Sequence, residues 1–125
     1  MKKYKIGMVQ VNNSFSGQNY LPLSLGFLVS YAEFHCKNYN DYDFLNPIYK
    51  RVPIKEAVEL YKDCDIVAFS VYVWNNNISM RIAKDLKEVN PNILTLVGGC
   101  HIPERPEYIE KYMSDHPYVD IASIG

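Results

Sequence analysis

Apolar positions along the chain form short runs separated by stretches of helical spacing. Residues 5–11 are a short apolar run that ends in Asn12-Asn13-Ser14, a turn cluster. Pro22 suits a first helical position, and Leu23, Leu25, Phe27, Leu28, Tyr31 and Ala32 follow with helical recurrence up to about Cys36. Residues 39–45 predict a second strand, half-exposed because Asp41 and Asp43 alternate with aromatics. Pro53 opens a second helix with Ala57, Val58, Leu60 and Tyr61 on its stripe. Residues 65–71 are apolar on both faces, as a central strand covered by two helix layers must be. Asn75, Asn76 and Asn77 can cap a third helix whose Ile78, Ile82, Ala83, Leu86 and Val89 share a face, and Asn90-Pro91-Asn92 ends it. Residues 93–97 read as a fourth strand closed by Gly98-Gly99, residues 106–114 as a fourth helix and residues 118–124 as a fifth strand.

Strands alternating with helices, each crossover long enough for a βαβ unit, predict an α/β fold with helices on both faces of a parallel sheet. The expected architecture is a flavodoxin-like, doubly wound, five-stranded sheet of order 2-1-3-4-5, a three-layer αβα domain over residues 1–125. No helix follows the fifth strand before Gly125, so one sheet face lacks its last cover. The expectation is the front portion of something larger.

Charge removes one class of partner. Thirteen Lys and Arg against fourteen Asp and Glu give a net charge of −1, which offers no phosphate-neutralising surface for nucleic acid. No apolar run approaches the ~18 residues of a membrane span. The basic start (Lys2, Lys3, Lys5) lacks the apolar stretch of a signal peptide. Cys36, Cys64 and Cys100 lie far apart, which fits neither a disulfide framework nor a cluster motif and suits a reducing cytoplasm.

In such a sheet ligands bind beyond the carboxyl ends of the strands, where strand order reverses. Three segments converge there: residues 12–21, the turn 70–77 and Gly98-Gly99. Ser70 offers a hydroxyl at a strand tip, and Tyr72 and Trp74 offer flat apolar surface, although the single Trp could equally be core. The paired glycines allow close backbone approach. Ser14-Phe15-Ser16-Gly17-Gln18-Asn19 faintly resembles a flavodoxin phosphate loop, but Tyr20-Leu21-Pro22 moves the helix start away. No glycine-rich dinucleotide motif or Walker loop follows the first strand. Gln10, Asn12 and Ser70 stand where a receiver domain needs acids. Cys100-His101 has no companion pair to form a metal site, and His35 and His116 read as surface residues.

Six segments follow one another along the chain: Lys5-Ile6-Gly7-Met8-Val9-Gln10, Tyr20-Leu21-Pro22-Leu23-Ser24-Leu25-Gly26-Phe27-Leu28, Ala68-Phe69-Ser70, Lys87-Glu88-Val89-Asn90-Pro91-Asn92, Gly98-Gly99-Cys100-His101 and Asp120-Ile121-Ala122-Ser123-Ile124-Gly125. Their order resembles the cobalamin-binding domains that precede radical S-adenosylmethionine (SAM) domains. That resemblance implies a cobalamin-binding or cofactor-positioning domain, not catalytic alone, whose partners are a corrinoid and a downstream radical SAM barrel. The 4Fe-4S cluster and SAM would belong to that barrel. By the matched positions, Ser70, Val71 and Tyr72 would meet the corrin or its tail. Gly98 and Gly99 would let the nucleotide tail pass, and Trp74 and Asn75 would border the lower face of the ring. The better-known cobalamin domains place a histidine after the first strand as cobalt ligand. Residues 12–21 contain none, so the resemblance implies a His-free mode. Cys100 replaces a usual proline. Two alternatives stay open: a docking module without cofactor, and an FMN-binding electron carrier.

Overall fold

The structure, a computed structural model, describes residues 3–125; Met1 and Lys2 lie outside the described residues, so the basic start is seen only from Lys3. Strands β1 (Tyr4–Val9), β2 (Tyr42–Phe44), β3 (Ile66–Ser70), β4 (Leu94–Gly98) and β5 (Ile121–Ala122) form one parallel sheet. The order across it is β2-β1-β3-β4-β5, as the alternation predicts. Helices α1 (Leu23–His35), α2 (Ile54–Tyr61), α3 (Asn76–Val89) and α4 (Pro106–Asp115) fill the crossovers.

Three details differ from the pattern. A small antiparallel hairpin pairs Ser14–Phe15 with Gln18–Asn19, turning through Ser16 (φ 51°) and Gly17 (φ 76°). Residues 39–41 wind into a 3-10 turn, which leaves β2 only three residues. The fifth strand is only two residues long, and just before it the Asp120 N–H donates to the Thr95 carbonyl (3.1 Å) while its carboxylate accepts from the Thr95 amide (2.9 Å) and pairs with Lys87. Burial pushes the Asp120 pKa up, but the Lys87 and Thr95 bonds outweigh it and hold the carboxyl below its ordinary value.

Strand alternation sorts the sheet into two unlike faces. Val9, Val67, Phe69 and Val97 point to one face and form a closed core with Ala57 and Tyr61 of α2, Ile82, Ala83 and Leu86 of α3, and Tyr112 of α4. Gly7 belongs to this face because a Cβ there would stand 2.7 Å from the Tyr61 ring. The Tyr61 hydroxyl then reaches the Met8 carbonyl (3.0 Å) and the Asn46 carbonyl (2.5 Å), fastening α2 to β1.

The opposite face carries Ile66, Ala68, Leu94 and Leu96, all partly exposed, and α1 is its helix. That helix buries only Leu25 and leaves Leu23, Phe27, Leu28, Tyr31 and Phe34 exposed. Among the described residues no helix is long and apolar enough to cross a membrane.

Burial pushes the Tyr61 hydroxyl up to about 12, so its neutral form is favoured in the fold. The stabilisation is complete below the unfolded tyrosine value of about 10 and is lost as pH rises towards 12. Denaturant titrations should therefore show stability falling across that window. Tyr61→Phe should cost about 1 kcal/mol near neutrality and make the alkaline fall shallower.

Candidate functional site

The site is organised by an asparagine. Beyond Ser70 the chain must leave β3 without wasting its backbone polar groups. Val71 N–H donates to the Gly98 carbonyl (2.7 Å), and Tyr72 N–H donates to Asn75 Oδ1 (2.7 Å). Asn75 Nδ2 donates to the carbonyls of Ser70 and Val11, both at 3.0 Å. One fully buried side chain thus ties the tips of β1 and β3 to the turn between β3 and α3.

Two of the expected residues are enclosed. Asn75 stands at the N-cap of α3, but its side chain makes no cap bond; it is fully buried and its amide is spent on Tyr72, Val11 and Ser70. Val71 also turns inward: its side chain is core, and its carbonyl accepts from His101 N–H at 3.1 Å. Both hold the site from beneath.

The other expected residues do converge. Trp74 is not core but 48% exposed, and its ring lies flat against Tyr72, with centroids 4.7 Å apart and planes 2° from parallel. Two clefts flank this pair. One, about 590 Å³, is lined by Ser70, Tyr72, Gly98 and Gly99 together with Ser24, Phe27, Leu28 and Tyr31 of α1. The other, about 460 Å³, is lined by Gln10, Asn12, Asn13, Tyr20, Leu21, Tyr72 and Trp74. Tyr72 is common to both.

The two glycines differ in role. At Gly99 (φ 110°) a Cβ would stand 2.6 Å from the Val71 carbonyl oxygen, so two backbones cross there and glycine is compulsory. At Gly98 a Cβ would meet only Ser123, at an ordinary 3.6 Å. Gly99 serves the fold, whereas Gly98 keeps the cleft floor bare.

Sequence reading missed part of the wall. Ser24 Oγ donates to Gln10 Oε1 and lies 3.3 Å from Ser70 Oγ, a polar row connecting the two clefts. A glutamine closing an otherwise apolar strand was the available signal for Gln10. Arg51 gave none, because only the fold brings its guanidinium to Asn13 Oδ1 (3.2 Å) and the Trp74 carbonyl (3.1 Å). Among the described residues no charged side chain and no histidine lines either cleft. His101 contributes a backbone bond, His35 stacks on Tyr31, and His116, half-buried instead of on the surface, sits between Tyr112 and Tyr118. Among the described residues no group of His, Cys, Asp or Glu could hold a metal ion.

No protein-family model matches the chain. It is 40% identical over 107 residues to the cobalamin-dependent radical SAM methyltransferase TokK of Streptomyces tokunonensis. It is 37% identical over 106 residues to 2-(S-pantetheinyl)-carbapenam-3-carboxylate methyltransferase of Streptantibioticus cattleyicolor. The chain is homologous to these methyltransferases over that span. Each match covers 85% of the chain and 15% of the relative, so the chain spans a minor part of the proteins it resembles. In fold it is similar to the pilus assembly protein CpaE from Caulobacter crescentus CB15, with a TM-score of 0.58 and 11% identity over 98% of this chain and 82% of that one.

Gly99→Ala should lower stability by about 1–3 kcal/mol, while Gly98→Ala should unfold near the parent midpoint, as read by thermal or denaturant melts. Asn75→Ala strands three backbone groups and should cost about 2–4 kcal/mol in the same melts.

Proposed function

We propose that this chain is the cobalamin-binding domain, residues 1–125, of a larger cobalamin-dependent radical SAM methyltransferase, holding the cofactor without a histidine ligand. The observation that carries the reading is the exposed, parallel Tyr72–Trp74 pair beside two uncharged clefts at the switch point of the sheet. A large, flat, largely apolar ring with neutral polar edges suits such a surface. The name of the relative TokK supplies the cofactor class.

In this reading Trp74, backed by Tyr72, borders the lower face of the corrin, and no side chain there is a cobalt ligand. Ser70 offers its hydroxyl to a polar edge of the ligand, and bare Gly98 admits the nucleotide tail. Asn75 and Val71 act by fixing these groups. When bound, the cofactor would carry the methyl group that the full enzyme transfers; the iron–sulfur cluster and SAM would be held by a radical SAM barrel elsewhere in that enzyme. The exposed apolar row Phe27, Leu28, Tyr31 and Phe34 on α1 suits cover by that further domain. The domain would act in the cytoplasm and is not catalytic alone.

The same row favours a second reading, a docking module without cofactor. An FMN carrier is less well supported. The segment that faintly resembles a phosphate loop folds as a hairpin, and among the described residues no cation lines the clefts.

Hydroxocobalamin titrated into the chain should give a saturable change in corrin absorption, and Trp74→Ala should weaken the affinity about tenfold, near 1.4 kcal/mol. No saturable change would overturn the proposal. Ser70→Trp should block binding while leaving a docking function intact.

A further inference from the structure

The smaller cleft contains polar atoms that the protein itself leaves unused. Beyond β1 the backbone stays extended, with Gln10 N–H bonded to the Ile48 carbonyl and Asn12 N–H to the Tyr49 carbonyl, both at 2.9 Å. Val11 between them is buried in the core, so Gln10 and Asn12 project together from the other side. Both line the cleft, and both are more than nine-tenths buried, at 6% and 8% exposure.

Their orientations are set by bonds behind them. Gln10 Oε1 accepts from Ser24 Oγ, itself within reach of Ser70 Oγ, which fixes the amide so that Nε2 is the free end. Asn12 Nδ2 donates to the Tyr20 carbonyl (3.2 Å), which leaves Oδ1 free. Among the described residues no protein hydrogen bond uses Gln10 Nε2 or Asn12 Oδ1, and neither atom is sealed from solvent. A donor and an acceptor on two largely buried side chains therefore open on one cavity. A ligand that satisfies both replaces the water they face with two fixed hydrogen bonds.

We propose that Gln10 and Asn12 form a recognition pair for a primary carboxamide, its oxygen accepting from Gln10 Nε2 and its NH₂ donating to Asn12 Oδ1. Alternate residues of an extended segment project to the same side about 7 Å apart, so both side chains can address one ligand group. Among the described residues the lining carries no charge, and the Arg51 guanidinium at the rim is bonded to Asn13 Oδ1 and the Trp74 carbonyl, which favours the neutral amide over either acid. Applied to the cobalamin reading, on which the choice of ligand rests, the pair would grip one carboxamide arm of the corrin rim while Trp74 lies against the ring.

The test follows the Gln10 side-chain NH₂ resonances of the ¹⁵N-labelled chain against hydroxocobalamin, benzamide and benzoate. Hydroxocobalamin should shift them saturably, and benzamide should shift them where benzoate does not. Gln10→Glu and, as a second variant, Asn12→Asp should each weaken hydroxocobalamin binding about tenfold, while a melt confirms that each is folded. If hydroxocobalamin binds but leaves the Gln10 resonances and both variants unaffected, the pair is overturned and the cobalamin reading survives. If hydroxocobalamin does not bind, the cobalamin reading fails and benzamide decides the pair: a selective shift supports it, and no shift overturns it.

Discussion

The geometry of the site depends on three hydrogen bonds made by one buried amide. Strand tips in a parallel sheet end with unspent carbonyls and amides, and the turn that follows has to use them or bury them unpaired. Asn75 answers for Val11, Ser70 and Tyr72 at once. Its own desolvation is covered because both amide hydrogens and the oxygen are bonded. With the turn fixed in this way, Tyr72 and Trp74 can lie outside the core as a stacked pair and still hold one orientation. An exposed aromatic platform is thus built on a polar anchor.

The two faces of the sheet divide the work. The face under α2, α3 and α4 is closed by close-packed aliphatic side chains and by Tyr61 seated on Gly7, and it supplies the rigidity. The face under α1 is apolar but loosely covered, and the larger cleft opens between that helix and the ends of β3 and β4. Binding surface therefore lies where packing is incomplete, next to a core that does not yield. The homology to the two methyltransferases covers 85% of this same scaffold.

Much of the fold was legible because its signals are local and periodic. The both-faces-apolar run ending at Ser70 and the helical recurrence from Ile78 to Val89 needed no tertiary information, and the parallel pairing followed from the length of the crossovers. The hairpin at 14–19 escaped because two-residue strands have no period to detect. At the site, sequence position named the right turn but could not tell which side chains face outward. Asn75 and Trp74 are neighbours, yet one is wholly enclosed and the other half exposed. Gly98 and Gly99 look equivalent in the sequence and separate only when the Val71 backbone is seen pressed against the second. Gln10 and Ser24 become partners only through a contact fourteen positions apart.

The chain has a single tryptophan, and it stands in the Tyr72 stack at the cleft mouth. Intrinsic emission excited in the indole band therefore originates at one known place, with no background from the core. A corrin absorbs across that emission range, so the protein carries its own optical reporter of occupancy, and ligand arrival could be timed in stopped flow without attaching a dye.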